Sequence, residues 1–181
     1  IASENVPSPA IKEAMVSDFG DRYAEGWVGE RVYAGCKYMD EAESVAMDLG
    51  KRLFHGEFID VRPISGVFAN LTAFTVFSNP GDVLMACTIP TGGHISHSKE
   101  SLGGTAGTVR KLDVQNYPFD EEEFTIDLDK TSNLVRELSE KGKAPKIFML
   151  GASVFLFPHP VKEVVDLAKT YGSKVIYDAA H

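Results

Sequence analysis

KIFMLGASVFLFPHPVKEVVDLAKTYGSKVIYDAAH, residues 146–181, is the stretch that decides the fold. Lys146 to Leu150 is an apolar run of strand length. Val161, Val164, Val165, Ala168 and Tyr171 then recur at helical spacing, and Val175 to Tyr177 supplies a second apolar run. A strand, a helix and a strand in this order call for parallel pairing, because parallel neighbours need a crossover and bury both faces. The same alternation continues upstream. Asp127 to Lys141 reads as a helix, and Thr108 to Val114 and Val83 to Ile89 read as strands around a loop carrying Gly92, Gly93, Gly103 and Gly104. Val67 to Phe77 reads as a buried helix ended by Asn79, Pro80 and Gly81, and Ile59 to Ile64 as a short strand before it. From Asp40 to Phe54, Ala42, Val45, Ala46, Leu49 and Leu53 mark an amphipathic helix. The expected fold is α/β, a mostly parallel sheet covered by helices. Residues 1–39 are rich in turn formers and read as an irregular arm. Ligands of such sheets sit outside the carboxyl ends of the strands, which points to the loops after Ile64, Ile89, Leu150 and Tyr177.

Composition narrows the function. The chain has 181 residues, is 44% hydrophobic and carries a formal net charge of -8, which disfavours a nucleic-acid binder relying on clustered Lys and Arg. Its two cysteines, Cys36 and Cys87, have no metal-site spacing, and reduced thiols in a cytoplasmic setting are expected. No apolar run approaches the ~20 residues of a membrane helix, so no membrane partner is expected. The chain opens at Ile1 without a methionine and stops at His181 directly after a strand, so both ends read as cuts in a longer domain.

Four constellations can carry chemistry. Ser65-Gly66 falls between a strand and a helix, where exposed amides and the helix dipole favour a phosphate; an ordinary serine cap is the competing reading. In TGGHISHS, residues 91–98, the glycines let backbone approach a ligand and present His94 to a planar ring, or the loop is simply solvated. No Cys, Asp or Glu completes a metal set around His94 and His97. Asp178 ends an apolar run, where a carboxylate calls for a partner such as a protonated pyridine nitrogen, or else caps a following helix. Glu25 lies among small and aromatic residues that could tune it as an acid or base, although most glutamates are surface groups.

Together these segments resemble the serine hydroxymethyltransferase family along the whole chain. The resemblance is carried by IASEN at Ile1–Asn5, YAEG at Tyr23–Gly26, RVYAGC at Arg31–Cys36, SG at Ser65–Gly66, GGH at Gly92–His94, GAS at Gly151–Ser153 and DAAH at Asp178–His181. It implies the large domain of a fold-type I enzyme dependent on pyridoxal 5'-phosphate, resembling aspartate aminotransferase in fold, with the Schiff-base lysine and the C-terminal domain beyond residue 181. It implies interconversion of serine and glycine with transfer of one carbon to a reduced pterin, by a homodimer or homotetramer. This chain by itself would then be inactive.

By the resemblance, Asp178 pairs with the pyridinium nitrogen and keeps the ring an electron sink, while His94 stacks on it. Ser65 and Gly66 belong to the phosphate cradle. Ser153 and His181 stand near the phenolic oxygen and the substrate carboxylate, which Ser3 also helps to hold. Tyr23, Glu25 and Tyr33 cross to the neighbouring subunit's site, toward the phosphate, the serine hydroxymethyl group and the substrate respectively. Ile89, Gly93, His94 and Ile95 lie near the pterin. The chain departs from the family pattern at Val32, Ile64, Val67, Phe68, Thr91 and Phe155, so both tetrahydrofolate and a modified pterin of the archaeal kind remain open as carrier. Another fold-type I enzyme, such as a threonine aldolase, and a non-catalytic assembly domain are the competing functions; YAEG with Glu25 and the GGH loop favour the transferase.

Overall fold

In the computed structural model, residues 4–151 and 153–181 are described. They form two compact units that divide between Pro63 and Ile64.

The first unit is built around an arginine. Helix α1 (Pro9–Met15) starts at Ser8, whose side chain accepts from the Ile11 amide. A two-residue ladder joins β1 (Gly26–Trp27) to β2 (Glu30–Arg31), and α2 (Lys37–Phe54) follows. The Arg31 guanidinium donates to Asp40 (2.7 Å) and Glu43 (2.6 Å) on α2 and to the carbonyls of Ala24 and Gly26. One planar donor fork thus fastens hairpin to helix. The expected helix at Asp40–Phe54 exists and starts three residues earlier. The expected strand at Ile59–Ile64 does not form: this segment enters no ladder, because Ile59 packs against Gly50 of α2 and Arg62 pairs with Asp60 while lying over the Trp27 ring. The stretch up to residue 39 also holds more regular structure than its composition suggested.

The second unit is a parallel sheet with helices on both faces. After α3 (Gly66–Phe77) come β3 (Val83–Ala86), the single turn α4 (Thr105–Thr108), β4 (Asp113–Asn116) and a small hairpin of β5 (Phe119–Asp120) and β6 (Thr125–Ile126). Helix α5 (Leu128–Glu140), β7 (Ile147–Gly151), α6 (Val161–Thr170) and β8 (Lys174–Asp178) complete it. The strands lie in the order β4-β3-β7-β8, all parallel. Alternate side chains serve opposite faces, as the pleat requires. Met85, Phe148 and Leu150 join Val135 of α5 and Val164 of α6, whereas Leu84, Ala86, Ile147 and Met149 join Phe74 of α3 and Ala106 of α4. Burying each large apolar side chain contributes about 1.5–3 kcal/mol, which explains why β3 and β7 read as unbroken apolar runs.

The expected α/β architecture is therefore present, with local shifts. Thr108–Val114 is not one strand: Thr108 closes α4, Lys111 takes a φ of 55°, and β4 begins only where the Asp113 amide reaches the Asp82 carbonyl. The strand expected at Val83–Ile89 stops at Ala86, because Ile89–Thr91 winds into a 3-10 turn. The chain leaves β3 for β4 on one side and returns to β7 on the other, so the order reverses at β3 and β7.

At the last rung of the sheet Gly151 faces Asp178. Gly151 has φ 85°, and a Cβ there would overlap the Asp178 carbonyl oxygen. Gly151→Ala should therefore cost about 3 kcal/mol or more in chemical denaturation. Gly142→Ala, at φ 72° but in open space, should cost about 1 kcal/mol. Equal costs would rule out the close approach as the cause.

Candidate functional site

The carboxyl end of the second unit's sheet opens into a cavity of about 250 Å³ lined by Ser65, Gly66, Val67, His94, Asp178, Ala180 and His181. Three of the four loops singled out by strand order contribute to it. Ser65 is the N-cap of α3, its Oγ accepting from the Phe68 amide at 3.2 Å while the Ala69 amide takes its carbonyl. Its hydroxyl proton stays available as a donor. Gly66 and Val67 open the helix on the cavity wall, where first-turn amides and the dipole favour an anion. The two readings of Ser65, cap and anion cradle, are thus compatible in one geometry.

Asp178 stands at the end of β8 and is half-buried. Its Oδ2 accepts from Asn70 Nδ2 at 2.8 Å and its Oδ1 from the Ala180 amide at 3.1 Å. His94 caps a 3-10 turn at Ile95–His97, its Nδ1 lying 3.1 Å from the Ser96 amide and 2.9 Å from Ser96 Oγ. Its position depends on Gly93, whose amide donates to the Thr88 carbonyl and where a Cβ would overlap the Cys87 carbonyl oxygen. His181 lies on the cavity rim and is exposed.

The remaining expected site residues are placed elsewhere. Ser153 is tied to the glycine loop, its amide donating to the Gly92 carbonyl at 3.3 Å, and is not part of the cavity lining. Ile89 and Ile95 are exposed and Gly93 is buried; none of the three lines the cavity. Tyr23, Glu25 and Tyr33 belong to the first unit, where the tyrosine rings lie 5.8 Å apart and the Glu25 carbonyl accepts from Val32. Tyr23 is 84% exposed. Ser3 lies outside the described residues.

Sequence reasoning missed Asn70 and Ser96, which are buried beside the cavity, and gave His97 no part beyond the metal question. Spacing alone offers no signal for Asn70 in an apolar helix, although a lone amide in such a helix does call for a partner. His97 is fully buried, neither ring nitrogen has a hydrogen-bond partner, and its ring lies 6.1 Å from that of His94. Burial pulls its pKa down to about 4, against a smaller upward pull from Asp178 and a further downward one from His94. Also unforeseen is an apolar pocket of about 260 Å³ lined by Phe119, Phe124, Phe155, Phe157 and His159 among others. There the His159 ring stands edge-on to Phe155, 4.6 Å between centroids, and its burial lowers its pKa. No group of three or more His, Cys, Asp or Glu suited to a metal occurs among the described residues, and no helix among them is long and apolar enough to cross a membrane.

Residues 1–181 match the family model described as serine hydroxymethyltransferase. The chain is 60% identical over 181 residues to a serine hydroxymethyltransferase of Nitrosopumilus maritimus and 57% identical to that of Cenarchaeum symbiosum. A third, from Korarchaeum cryptofilum, is 57% identical over 187 aligned positions. Each match covers all of this chain but only 41–42% of the relative, so the chain spans about two fifths of the length of these curated relatives.

The buried His97 has a consequence for stability. A proton binds it in the unfolded chain near pH 6.5 but in the folded chain only near pH 4, so stability attributable to His97 is fully present above pH 6.5 and falls as pH drops toward 4. The full loss is about 3 kcal/mol. In His97→Gln, the part of the pH slope between 6.5 and 4 due to this ring should vanish; unfolding curves whose pH dependence matches wild type would contradict the assignment.

Proposed function

The chain belongs to the serine hydroxymethyltransferase family, and from that premise we propose that its whole protein moves a one-carbon unit between serine and a reduced pterin. The cofactor would be pyridoxal 5'-phosphate in the cavity beside Asp178. One observation carries this reading: a helix N-terminus, an imidazole and a strand-end carboxylate converge on the same cavity. The residues present suit the group. The α3 N-terminus with Ser65 matches a phosphate, and Asp178, accepting hydrogen bonds at both oxygens, matches a cationic ring nitrogen. Bound there, pyridoxal phosphate supplies an electron sink for chemistry at the amino acid α-carbon.

In this reading the protein's own groups orient and move protons. The Ser65 hydroxyl and the Gly66 and Val67 amides hold the phosphate. Asp178 keeps a proton on the ring nitrogen, because a carboxylate facing it favours the charged form. His94 lies against the ring face, and Ser153 and His181 serve the phenolic oxygen and the substrate carboxylate together with Ser3. Tyr23, Glu25 and Tyr33 would enter the partner chain's site in a homodimer or homotetramer, Glu25 exchanging a proton with the serine hydroxymethyl oxygen. Ile89, Gly93, His94 and Ile95 would border the pterin, either tetrahydrofolate or a modified pterin. No lysine lines the cavity, and the Schiff-base lysine would come from the remainder of the whole protein with its C-terminal domain. Residues 1–181 would then be part of the large domain.

Asp178→Asn in the full-length protein should lower serine cleavage by roughly 10²-fold or more, the scale of removing a charge-stabilising group, while circular dichroism and melting stay close to wild type. Near-normal turnover with the cofactor bound would refute the role given to Asp178.

A further inference from the structure

Asp178 and His94 are joined by two buried side chains. Asn70 is 7% exposed and Ser96 is fully buried. The Asn70 amide nitrogen donates to Asp178 Oδ2 at 2.8 Å and to Ser96 Oγ at 2.9 Å, one proton to each. The opposite amide orientation would set a carbonyl oxygen against a carboxylate, so the donor direction follows from charge. Since Ser96 Oγ accepts from Asn70, its own proton is free for His94 Nδ1, 2.9 Å away. The Ser96 backbone N–H points at the same nitrogen, at 3.1 Å. Two donors on Nδ1 require it to be unprotonated, which puts the imidazole proton on Nε2. With Ala180 donating to Oδ1, each carboxylate oxygen of Asp178 has a fixed partner. The neighbouring His97 offers no competing hydrogen bond to this chain of groups.

We propose that Asn70 and Ser96 are positioning residues that present Asp178 and His94 to the cofactor as one preset unit, Asn70 fixing the carboxylate and Ser96 fixing the tautomer and plane of the imidazole. Their purpose rests on the cofactor reading given above; their linkage does not. A side chain that must meet a flat ring on its face and another that must meet its edge are useful only in a fixed relation, and buried hydrogen bonds supply that fixity.

The test uses the full-length protein, labelled with ¹⁵N-histidine and free of cofactor, with His94 assigned by its absence in His94→Gln. Long-range proton–nitrogen spectra should show the Nε2–H tautomer in wild type and in Ser96→Thr, which keeps the hydroxyl, and a mixture of tautomers in Ser96→Ala. Titrated with pyridoxal phosphate, Ser96→Ala and Asn70→Ala should bind about 10- to 100-fold more weakly than wild type, the effect of losing a buried or charge-assisted hydrogen bond, with Ser96→Thr close to wild type. Should Asn70→Ala not fold, the Ser96 pair decides alone. A wild-type His94 protonated on Nδ1, or a Ser96→Ala protein with unchanged tautomer and unchanged affinity, would overturn the proposal. Failure of the wild-type protein to bind pyridoxal phosphate would instead sink the cofactor reading, on which the cofactor-free spectra do not depend.

Discussion

The pairing of Gly151 with Asp178 at the last rung between β7 and β8 is the constraint on which the site depends. It places a carboxylate at the carboxyl edge of a parallel sheet, where the Ala180 amide and the Asn70 side chain of α3 reach it. The rung closes only because position 151 has no side chain to meet the Asp178 carbonyl. What holds β7 in place is burial on both faces, with Phe148 and Leu150 under α5 and α6, and Ile147 and Met149 under α3 and α4. The apolar core thus fixes the sheet, the sheet fixes the edge, and the edge fixes the charged group. Chemistry enters only at the last step.

The first unit solves a different problem with different means. None of the residues of α2 is buried, and the chain before it leaves large apolar side chains such as Met15, Val16 and Tyr23 exposed rather than packed. Its order comes from Arg31, whose guanidinium meets two carboxylates and two carbonyls, and which holds the Asp40 carboxyl below its ordinary range. The motif RVYAG therefore contains a structural arginine beside Tyr33. Sequence reading fastened on the tyrosine, because a salt-bridge partner nine or twelve residues away on a helix has no local signature.

What was legible in the sequence was whatever leaves a periodic or positional trace. The helices at Gly66–Phe77, Leu128–Glu140 and Val161–Thr170, and the strands at Ile147–Gly151 and Lys174–Asp178, differ from their expected bounds by a residue or so, because apolar spacing and caps such as Asp127 mark them directly. The strand expected at Ile59–Ile64 failed because apolar content says nothing of a ladder partner, and Ile59 found a helix instead. Thr108–Val114 failed because its first residue closes α4 and Leu112 reaches the core from outside the strand. At the site, Ser65, His94 and Asp178 were legible as loop residues after strands or before a helix. Asn70 and Ser96 were not, since their importance lies in contacts across 26 and 108 residues of chain that no short motif encodes.

The identity of the group facing Asp178 can be read from that group itself. Pyridoxal phosphate labelled with ¹⁵N at the ring nitrogen, bound to the full-length protein at neutral pH, reports its protonation by chemical shift. A protonated nitrogen, becoming unprotonated in Asp178→Ala, is the result expected of a carboxylate held in place by Asn70 and the Ala180 amide. An unprotonated nitrogen in the wild-type protein, or a protonated one indifferent to the loss of Asp178, would contradict the assignment of this cavity.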